Sequence, residues 1–353
     1  MEILEKLEKK QRLSYEDGIK LYDLDLFTLG KYANALREEK YDRKSYFNIN
    51  RHINPTNICK DVCQFCAYSS SRKNPNPYTM SHEEILETVE SSVNNGIKEV
   101  HIVSAHNPDT GLEWYLDVFR KIKDKYPQLH VKALTAAEIH FLAQEYNLTH
   151  QDIVNKMHES GVDSMPGGGA EIFDEQVRKK ICGGKVTSQQ WLDIHKLWHE
   201  KGKQSNATML FGHIESQAHR IDHMIRLRDL QDQTNGFNAF IPLVYQTQNN
   251  YLKVEKFLTG QEILKTMAIS RLMLDNIPHL KAYWVTSTVK LALLAQEFGA
   301  NDLDGTIEKE SINSAAGAAS ANGMPLQEFV DLIKNSGFTP VERDSLYNEI
   351  KIW

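Results

Sequence analysis

The sequence predicts an α/β protein built around a partial or full βα barrel, with helical extensions at the N-terminal and C-terminal ends. Two observations predict this fold. Short apolar runs rich in β-branched and aromatic residues alternate with amphipathic helical patterns through most of the 353 residues, which favours a parallel sheet with right-handed crossovers. The chain also lacks the Gly-rich dinucleotide fingerprint of a doubly wound sheet, and this favours a barrel.

The composition limits the class of protein further. Hydrophobic residues make up 41% and charged residues 25% of the chain, as in an ordinary globular protein. The net charge of −6 argues against a nucleic-acid or anionic-membrane partner. No run approaches the roughly 18 apolar residues of a spanning helix, and the charged N-terminus lacks a signal peptide's apolar stretch. We therefore expect a cytoplasmic protein with reduced thiols and no membrane partner.

Three segments are expected along the chain. Residues 1–43 show helical spacing of apolar side chains, as at Leu29, Ala33 and Leu36. Residues 44–310 carry the strand–helix alternation of the barrel, and residues 311–353 are expected to form a helical segment packed on it. The predicted strands span residues 46–53, 99–103, 130–134, 162–165, 205–210, 237–245 and 282–285.

Helices are predicted between these strands. Ser81 followed by Glu84 is a capping-box signature, and Thr187 or Ser188 can begin a later helix. The predicted helices span residues 81–95, 112–126, 135–146, 188–201, 219–234, 260–276 and 287–298. In a barrel of this kind the chemistry lies on the loops that follow the strands, and the motifs below fall there.

A group of three cysteines follows the first predicted strand. Cys59, Cys63 and Cys66 lie within one short loop, whose spacing can place three thiolates around one face of a [4Fe–4S] cube and leave one iron without a protein ligand. A structural zinc site would need a fourth ligand, which His52 or His82 could supply. A disulfide is disfavoured in a reducing compartment, and buried unliganded thiols do not account for the clustering. We therefore favour the cluster.

The segment Cys59-x-x-x-Cys63-x-Phe65-Cys66 resembles the signature of the radical S-adenosylmethionine (SAM) family, in which the residue before the third cysteine is aromatic. The resemblance implies a [4Fe–4S] cluster whose open iron chelates the amino and carboxylate groups of SAM. It also implies that the reduced cluster cleaves the S–C5′ bond and releases a 5′-deoxyadenosyl radical. An electron donor of the flavodoxin or ferredoxin type is then needed.

Longer runs narrow the resemblance to the futalosine-pathway enzymes of menaquinone biosynthesis. Those runs are Met-Pro-Gly-Gly-Gly-Ala-Glu at 165–171, Thr-Met-Leu-Phe-Gly-His-Ile-Glu at 208–215, Leu-Arg-Asp-Leu-Gln-Asp at 227–232 and Ala-Phe-Ile-Pro-Leu at 239–243. Residues 212–215, 271–276 and 281–284 look most like the aminofutalosine synthases. One alternative is another synthase that shares the barrel and much of the Gly-rich motif: a cyclic dehypoxanthine futalosine synthase, in which the radical abstracts hydrogen and 5′-deoxyadenosine is released, or a deazaflavin-forming synthase. A second alternative, of another class, is a non-catalytic iron–sulfur or zinc protein.

Resemblance to the aminofutalosine synthases implies a particular reaction. The adenosyl radical adds to the methylene carbon of 3-[(1-carboxyvinyl)oxy]benzoate, the ether carbon migrates to the ring, and a carboxylate leaves as CO2 or bicarbonate. An electron then returns, and the product is 6-amino-6-deoxyfutalosine. SAM is thus a co-substrate. The substrate carboxylates need cationic or donor partners, and the candidates by location are Arg51, His52, Lys281 and Tyr283.

The resemblance also implies a set of SAM contacts. Ser104 and Ala105 stand where the family has a Gly-Gly motif, and Thr208 stands at the first glycine of Gly-x-Ile-x-Gly-x-x-Glu. Leu210 would then lie against the adenine. Glu171 either hydrogen-bonds the ribose or is a carboxylate favoured by a helix N-terminus. The predicted SAM contacts are Phe65, Tyr68, Ser104, Ala105, Gly167, Gly168, Gly169, Glu171, Asn206 and Leu210.

His213 and Glu215 are the predicted catalytic residues. Both follow the fifth predicted strand, where they could position substrate or move protons. The alternative is a capping role at the start of the next helix.

Overall fold

Two sheets form the strand framework of the protein, which is described here from a computed structural model covering residues 3–70, 75–254, 258–309, 311–318 and 323–353. The seven-stranded sheet has the order β2-β3-β4-β5-β6-β7-β8, and the four-stranded sheet has the order β11-β10-β1-β9. The strands are β1 (Lys44–Asn48), β2 (Asn50–Ile53), β3 (Glu99–Ile102), β4 (His130–Ala133), β5 (Ser164–Met165), β6 (Gln204–Phe211), β7 (Phe237–Val244), β8 (His279–Leu280), β9 (Asp302–Gly305), β10 (Thr339–Arg343) and β11 (Glu349–Ile352).

Helices precede the first strand and connect most of the later ones. They are α1 (Ile3–Glu8), α2 (Tyr15–Leu21), α3 (Leu26–Tyr41), α4 (His82–Asn94), α5 (Leu112–Lys125), α6 (Ala136–Glu145), α7 (His150–Glu159), α8 (Glu175–Cys182), α9 (Ser188–His199), α10 (Gln217–Thr234), α11 (Gly260–Met273), α12 (Trp284–Ser287), α13 (Val289–Ala295), α14 (Ile312–Ala315) and α15 (Leu326–Asn335), with a 3-10 turn at Gln296–Phe298. Among the described residues, no helix combines the length and the apolar character that crossing a membrane requires.

The seven-stranded sheet is parallel throughout, and β9 joins its two edges. A parallel bridge between Lys281 and Asp302 brings β9 beside the end of β8, and β9 pairs with β1. The amide of Glu308 donates to Asn50 O at 3.2 Å, so the chain after β9 also reaches β2. The predicted α/β barrel is therefore confirmed, as a parallel half-barrel whose edges are connected through the second sheet.

The helix starts follow from the sequence. Ser81 Oγ accepts from Glu84 N at 3.2 Å and Glu84 Oε2 accepts from Ser81 N at 2.7 Å, which is the predicted capping box. Thr187 caps α9 in the same way. On α5, Leu116, Phe119 and Ile122 recur at helical spacing and are fully buried. Burial of each such side chain stabilises the fold by about 1.5–3 kcal/mol, and this core holds the strand ends in place.

Two predicted strands differ from the structure. The run 46–53 is two strands, because the chain leaves the four-stranded sheet after β1, turns at Ile49 and enters the seven-stranded sheet as β2. The strand predicted at 282–285 lies earlier, at β8. In the predicted range itself, helix α12 begins instead of a strand, because Tyr283 O accepts from Thr286 N at 3.3 Å and from Ser287 N at 3.2 Å. A short apolar run fits either element, and the sequence pattern alone could not decide between them.

The C-terminal segment is helical only in part. Beyond α14 and α15, β10 pairs in parallel with β1, with Val341 opposite Tyr46, and β11 forms a hairpin with β10. The helical prediction for residues 311–353 is corrected accordingly, because a strand stabilised by a partner this distant in the chain leaves no local signal. The limits at 43/44 and 310/311 stay predictions, and residues 310 and 319–322 lie outside the described part of the chain.

Candidate active site

A cavity of about 310 Å³ opens at the carboxyl ends of the barrel strands. Parallel strands bring their following loops to one end of a barrel, so residues far apart in the sequence meet there. The structure places every predicted cluster and SAM residue on its wall, namely Cys59, Cys63, Phe65, Cys66, Tyr68, Ser104, Ala105, Gly167, Gly168, Gly169, Glu171, Asn206 and Leu210.

The cysteine loop is anchored to three other parts of the chain. Gln64 N donates to Ile181 O at 2.8 Å, and Gln64 O accepts from Tyr251 N at 2.7 Å. Lys60 N donates to His106 O at 2.9 Å. These backbone bonds fix the loop on both sides of Cys63, so the positions of the three thiols are set by the barrel.

The three thiols fit a cluster at one end of the cavity. All are free, and Cys63 is buried. Burial raises the pKa of the Cys63 thiol, so its thiolate needs a metal to offset the loss of solvation. Among the described residues, no three His, Cys, Asp or Glu side chains converge on a single ion. A cube distributes its thiolates over separate irons, and three cysteines in one anchored loop match that donor set.

Lys185 is a cavity residue that the sequence analysis missed. Its Nζ lies 3.1 Å from Glu171 Oε1 and 5.5 Å from the centre of the Phe65 ring. Glu171 has a positive φ of 48°, and its carboxylate pairs with this ammonium. The partly exposed ammonium lies close enough to Cys63 to favour its thiolate, and Glu171 has an ion-pair partner in addition to any ribose contact.

The glycine loop after β5 packs directly on β6. A Cβ at Gly167 would lie 2.8 Å from Asn206 O and 2.9 Å from Thr208 N, so only glycine fits there. Thr208 Oγ1 donates to Gly167 O at 2.6 Å. Thr208, which stands where the family has a glycine, thus holds the loop against the strand. Leu210 N donates to Glu171 O at 2.7 Å, which orders the end of the same loop.

The serine and alanine that replace the family's glycines fit their positions. Neither Ser104 nor Ala105 has a positive φ, so no glycine-only conformation is required. Ser104 N donates to Glu138 Oε1 at 2.9 Å, and Tyr115 Oη donates to Ser104 Oγ at 2.9 Å. Glu138 also closes the capping box of α6 with Thr135, so one buried carboxylate links this loop to a helix start.

Tyr68 and Asn206 are held by neighbours as well as lining the cavity. Tyr68 Oη donates to Thr56 O at 3.0 Å and lies 2.5 Å from Tyr78 Oη. Asn206 Nδ2 donates to Asn238 Oδ1 at 2.5 Å. Both polar groups are therefore fixed in direction, as residues that contact a ligand need to be.

His213 and Glu215 lie behind the cavity wall, and neither lines it. Glu215 accepts from Gly212 N at 2.7 Å and from His213 N at 2.8 Å, and its Oε1 lies 2.7 Å from Arg220 Nε. His213 Nε2 lies 3.1 Å from Leu210 O. Both side chains are fully buried. These contacts brace the turn between β6 and α10 and reach the cavity wall at Leu210, which favours the capping alternative, and the catalytic role of the two residues stays a prediction.

Charged side chains form the inner end of the cavity. Lys132 Nζ lies 2.6 Å from Glu99 Oε2, and Lys281 Nζ lies 2.6 Å from Asp304 Oδ1. The rings of His52 and His101 lie edge to face with centres 4.7 Å apart. Of the predicted carboxylate contacts, the structure places three on the cavity wall: His52, Lys281 and Tyr283.

Arg51 is the exception. It points away from the cavity toward Glu308, 3.6 Å distant, because consecutive strand residues face opposite sides.

Fold and site together define a metal-dependent enzyme whose reaction cavity lies at the mouth of a βα barrel. A sequence model of the Radical SAM superfamily matches residues 53–227, and a model of the CofH/MqnC C-terminal region matches residues 234–352. The chain belongs to the radical SAM superfamily, with a C-terminal region of the CofH/MqnC type. It is therefore an enzyme of radical chemistry that uses a [4Fe–4S] cluster and SAM.

Relatives of known function match over nearly the whole chain. The aminodeoxyfutalosine synthase of Thermus thermophilus is 42% identical over 99% of this chain and 96% of that protein. The enzyme of the same name from Streptomyces coelicolor is 38% identical over 99% of this chain and 94% of its own. The cyclic dehypoxanthine futalosine synthase of Streptomyces coelicolor is 34% identical over 99% of this chain and 88% of its own.

Solved structures show the same fold at lower sequence identity. The FeFe-hydrogenase maturase HydG from Carboxydothermus hydrogenoformans superposes with a TM-score of 0.77 at 16% identity, covering 98% of this chain and 80% of that one. Methylornithine synthase (PylB) superposes with a TM-score of 0.74 at 17% identity, covering 96% and 97%.

Proposed function

We propose that this protein is an aminofutalosine synthase, which joins the adenosyl group of SAM to 3-[(1-carboxyvinyl)oxy]benzoate and forms 6-amino-6-deoxyfutalosine. The observation that carries the proposal is the arrangement of one cavity. Three thiols and a glycine loop lie at one end of it, and buried cationic side chains lie at the other. The full-length similarity to aminodeoxyfutalosine synthases supports the same substrate.

The cluster and SAM, when bound, supply a 5′-deoxyadenosyl carbon radical. Cys59, Cys63 and Cys66 hold the cluster, and the anchored Cys63 loop fixes its position relative to the strands. The glycine loop at 167–169 allows SAM to approach the backbone, with Leu210 against the adenine. Ser104, held by Glu138 and Tyr115, presents a fixed edge to the methionine moiety.

The walls between the two ends of the cavity position the second substrate. Ile241, Leu243, Val244 and Tyr283 also line the cavity, and their apolar surfaces suit an aromatic ring. Apolar walls keep water from the radical, and rigid strands hold the two reacting carbons near contact. Such positioning supplies much of the rate enhancement expected of an addition between two bound molecules.

An anaerobic assay tests the proposal. The reconstituted, reduced protein is incubated with SAM and the enolpyruvyl benzoate, and the products are separated and identified by mass spectrometry. We expect a product that contains both adenosine and the rearranged benzoate, together with methionine. Release of 5′-deoxyadenosine without that adduct would contradict the proposal and favour the hydrogen-abstracting synthase.

Two further features belong to the proposal. Reduction of the cluster requires an electron donor, and we propose a small flavodoxin- or ferredoxin-type protein in that role. We also propose residues 44–310 as the catalytic barrel, with the flanking segments packed on it, because Ile312, Asn313 and Ala316 of the C-terminal segment line the cavity. Turnover with a purified flavodoxin and its reductase in place of a chemical reductant tests the first of these.

A further inference from the structure

Three side chains form a row on the inner face of the barrel. His52, His101 and Lys132 are register partners on β2, β3 and β4. Partners in register on parallel strands point to the same face of the sheet, and all three line the cavity. Along each strand, they are the first residues that line the cavity, whereas the cysteines and the glycine loop come after the strands end. The row therefore forms the floor of the cavity.

Two buried ammonium groups lie at this floor, Lys132 in the row and Lys281 beside it, because Asp304 is close enough to Lys281, His52 and Lys132 for all three to lower its pKa. The side chains of Lys132 and Lys281 are only 4% and 2% exposed. Within the described residues each ammonium makes one hydrogen bond, to Glu99 and Asp304 respectively. An ammonium has three N–H donors, so each retains two for a ligand. Buried donors without acceptors are costly, and a ligand with charged oxygens would satisfy them.

The partner carboxylates are supported from outside the cavity. Glu99 Oε2 also accepts from Ser345 Oγ at 2.6 Å, and Asp304 N donates to Asp302 Oδ1 at 2.6 Å. Asp304 holds a positive φ of 72°, a conformation kept only where the surroundings impose it. These contacts fix the carboxylate of Glu99 and the backbone of Asp304, and both restrict where the two ammonium groups point.

We propose that Lys132 and Lys281 bind the ring carboxylate of an arenecarboxylate substrate, and so set its direction in the cavity. The inference rests on the proposed function. The carbon that the adenosyl radical attacks must lie at the cysteine and glycine-loop end, where SAM binds. The ring carboxylate of 3-[(1-carboxyvinyl)oxy]benzoate is at the opposite end of that molecule, and it then meets the two lysines at the floor.

A paired-variant experiment tests the inference. Lys281→Met is combined with Asp304→Asn, and Lys132→Met with Glu99→Gln, so that neither variant leaves a buried charge unpaired. Binding of the enolpyruvyl benzoate is measured by calorimetry without reductant, alongside SAM binding. Loss of charge-assisted hydrogen bonds should weaken substrate binding by about 10- to 100-fold, with SAM affinity unchanged. Lys123→Met is the control: Lys123 lies on the outer helix α5, where its Nζ is 3.0 Å from Asp163 Oδ2, and its loss should change neither affinity.

A second ligand tests whether the lysines recognise the ring carboxylate in particular. The enolpyruvyl ether of phenol lacks the ring carboxylate, so we expect wild-type protein and both double variants to bind it with equal affinity. Equal losses for both ligands, or native substrate affinity in both double variants, would overturn the inference. If a double variant does not fold, Lys281→Arg and Lys132→Arg replace it, and they should retain most of the binding.

The same experiments distinguish failure of the carboxylate site from failure of the proposed reaction. If wild-type protein forms no adduct but binds 3-hydroxybenzoate in a lysine-dependent way, the carboxylate site stands and the proposed reaction fails. If the adduct forms and the variants bind substrate normally, the reaction stands and the carboxylate site fails.

Discussion

Glu215→Gln distinguishes a bracing role from a catalytic role at the turn after β6. The carboxylate accepts from two backbone amides at 2.7 and 2.8 Å and lies 2.7 Å from Arg220, all without solvent exposure. Glutamine keeps the shape but loses the charge and one acceptor oxygen. Hydrogen bonds to a charged group contribute about 1.5–3 kcal/mol each, and neutral ones about half of that.

The expected loss of stability is limited, because Arg220 keeps other hydrogen-bonding partners in the variant. Its Nη2 lies 3.5 Å from Glu262, and its Nη1 donates to Thr266 Oγ1 at 3.2 Å. We therefore expect Glu215→Gln to lower the free energy of unfolding by about 2–4 kcal/mol, at the low end of the cost of breaking a buried ion pair. Taking about 2–4 °C per kcal/mol, Tm falls by about 4–16 °C.

Two assays on the same variant separate the roles. Denaturant unfolding gives the free energy, and SAM cleavage well below Tm gives kcat. A bracing role predicts the stability loss with kcat within about threefold of wild type, whereas loss of a proton-transfer group costs about 10²- to 10⁴-fold. Native stability with a hundredfold loss of kcat would refute the reasoning. Glu262→Gln is the control, because its carboxylate lies 3.5 Å from Arg220 and is 21% exposed, so its loss should cost less stability than that of Glu215 and should leave kcat unchanged.

Three further predictions follow from the site and the core. Gly167→Ala should lower the free energy of unfolding by about 1–3 kcal/mol and weaken SAM binding, because its Cβ would meet β6 backbone. Gly260→Ala is the control: its Cβ would lie 3.7 Å from Leu291 at the start of α11, so SAM binding should not change and the free energy of unfolding should not fall, and calorimetry can check both. Cys66→Ala should abolish iron incorporation and the visible absorbance of the cluster, while Cys182→Ala, outside the cavity, should keep both; an intact cluster in Cys66→Ala would remove that thiol from the ligand set. Burial lowers the pKa of His199 to about 4, so below about 6.5 the unfolded chain takes up a proton that the folded chain does not, and stability falls as pH drops toward 4. His199→Gln should flatten that slope by about 1.4 kcal/mol per pH unit in denaturant titrations between pH 6 and 4.5, and an unchanged slope would contradict a neutral buried imidazole.

The barrel and the cysteine loop could be predicted because their signals are local. Strand–helix alternation depends on patterns of neighbouring residues, and so does the spacing from Cys59 to Cys66. By contrast, β9 was missed because Asp302, Asp304 and Gly305 are poor strand formers. Their burial depends on Arg343 and Lys281, whose side chains lie 2.5 and 2.6 Å from the two carboxylates.

The floor of the cavity could be predicted only in part, because it too depends on contacts between residues that are distant in the chain. Arg51 and His52 are adjacent in sequence, and strand alternation requires that only one of them faces inward, but the sequence does not say which. Lys132 becomes visible as a cavity residue only once β4 is in register with β3. His213 and Glu215 show the converse case, because residues that follow a strand end can turn behind the wall.

The most direct test of the account uses SAM labelled with ¹³C in its adenosyl group. The reduced protein is given this SAM and the unlabelled enolpyruvyl benzoate, and the product masses are recorded. We predict that the label enters a product that also contains the rearranged benzoate, with one adenosyl group per molecule and unlabelled methionine released. Label confined to 5′-deoxyadenosine would contradict radical addition in this cavity.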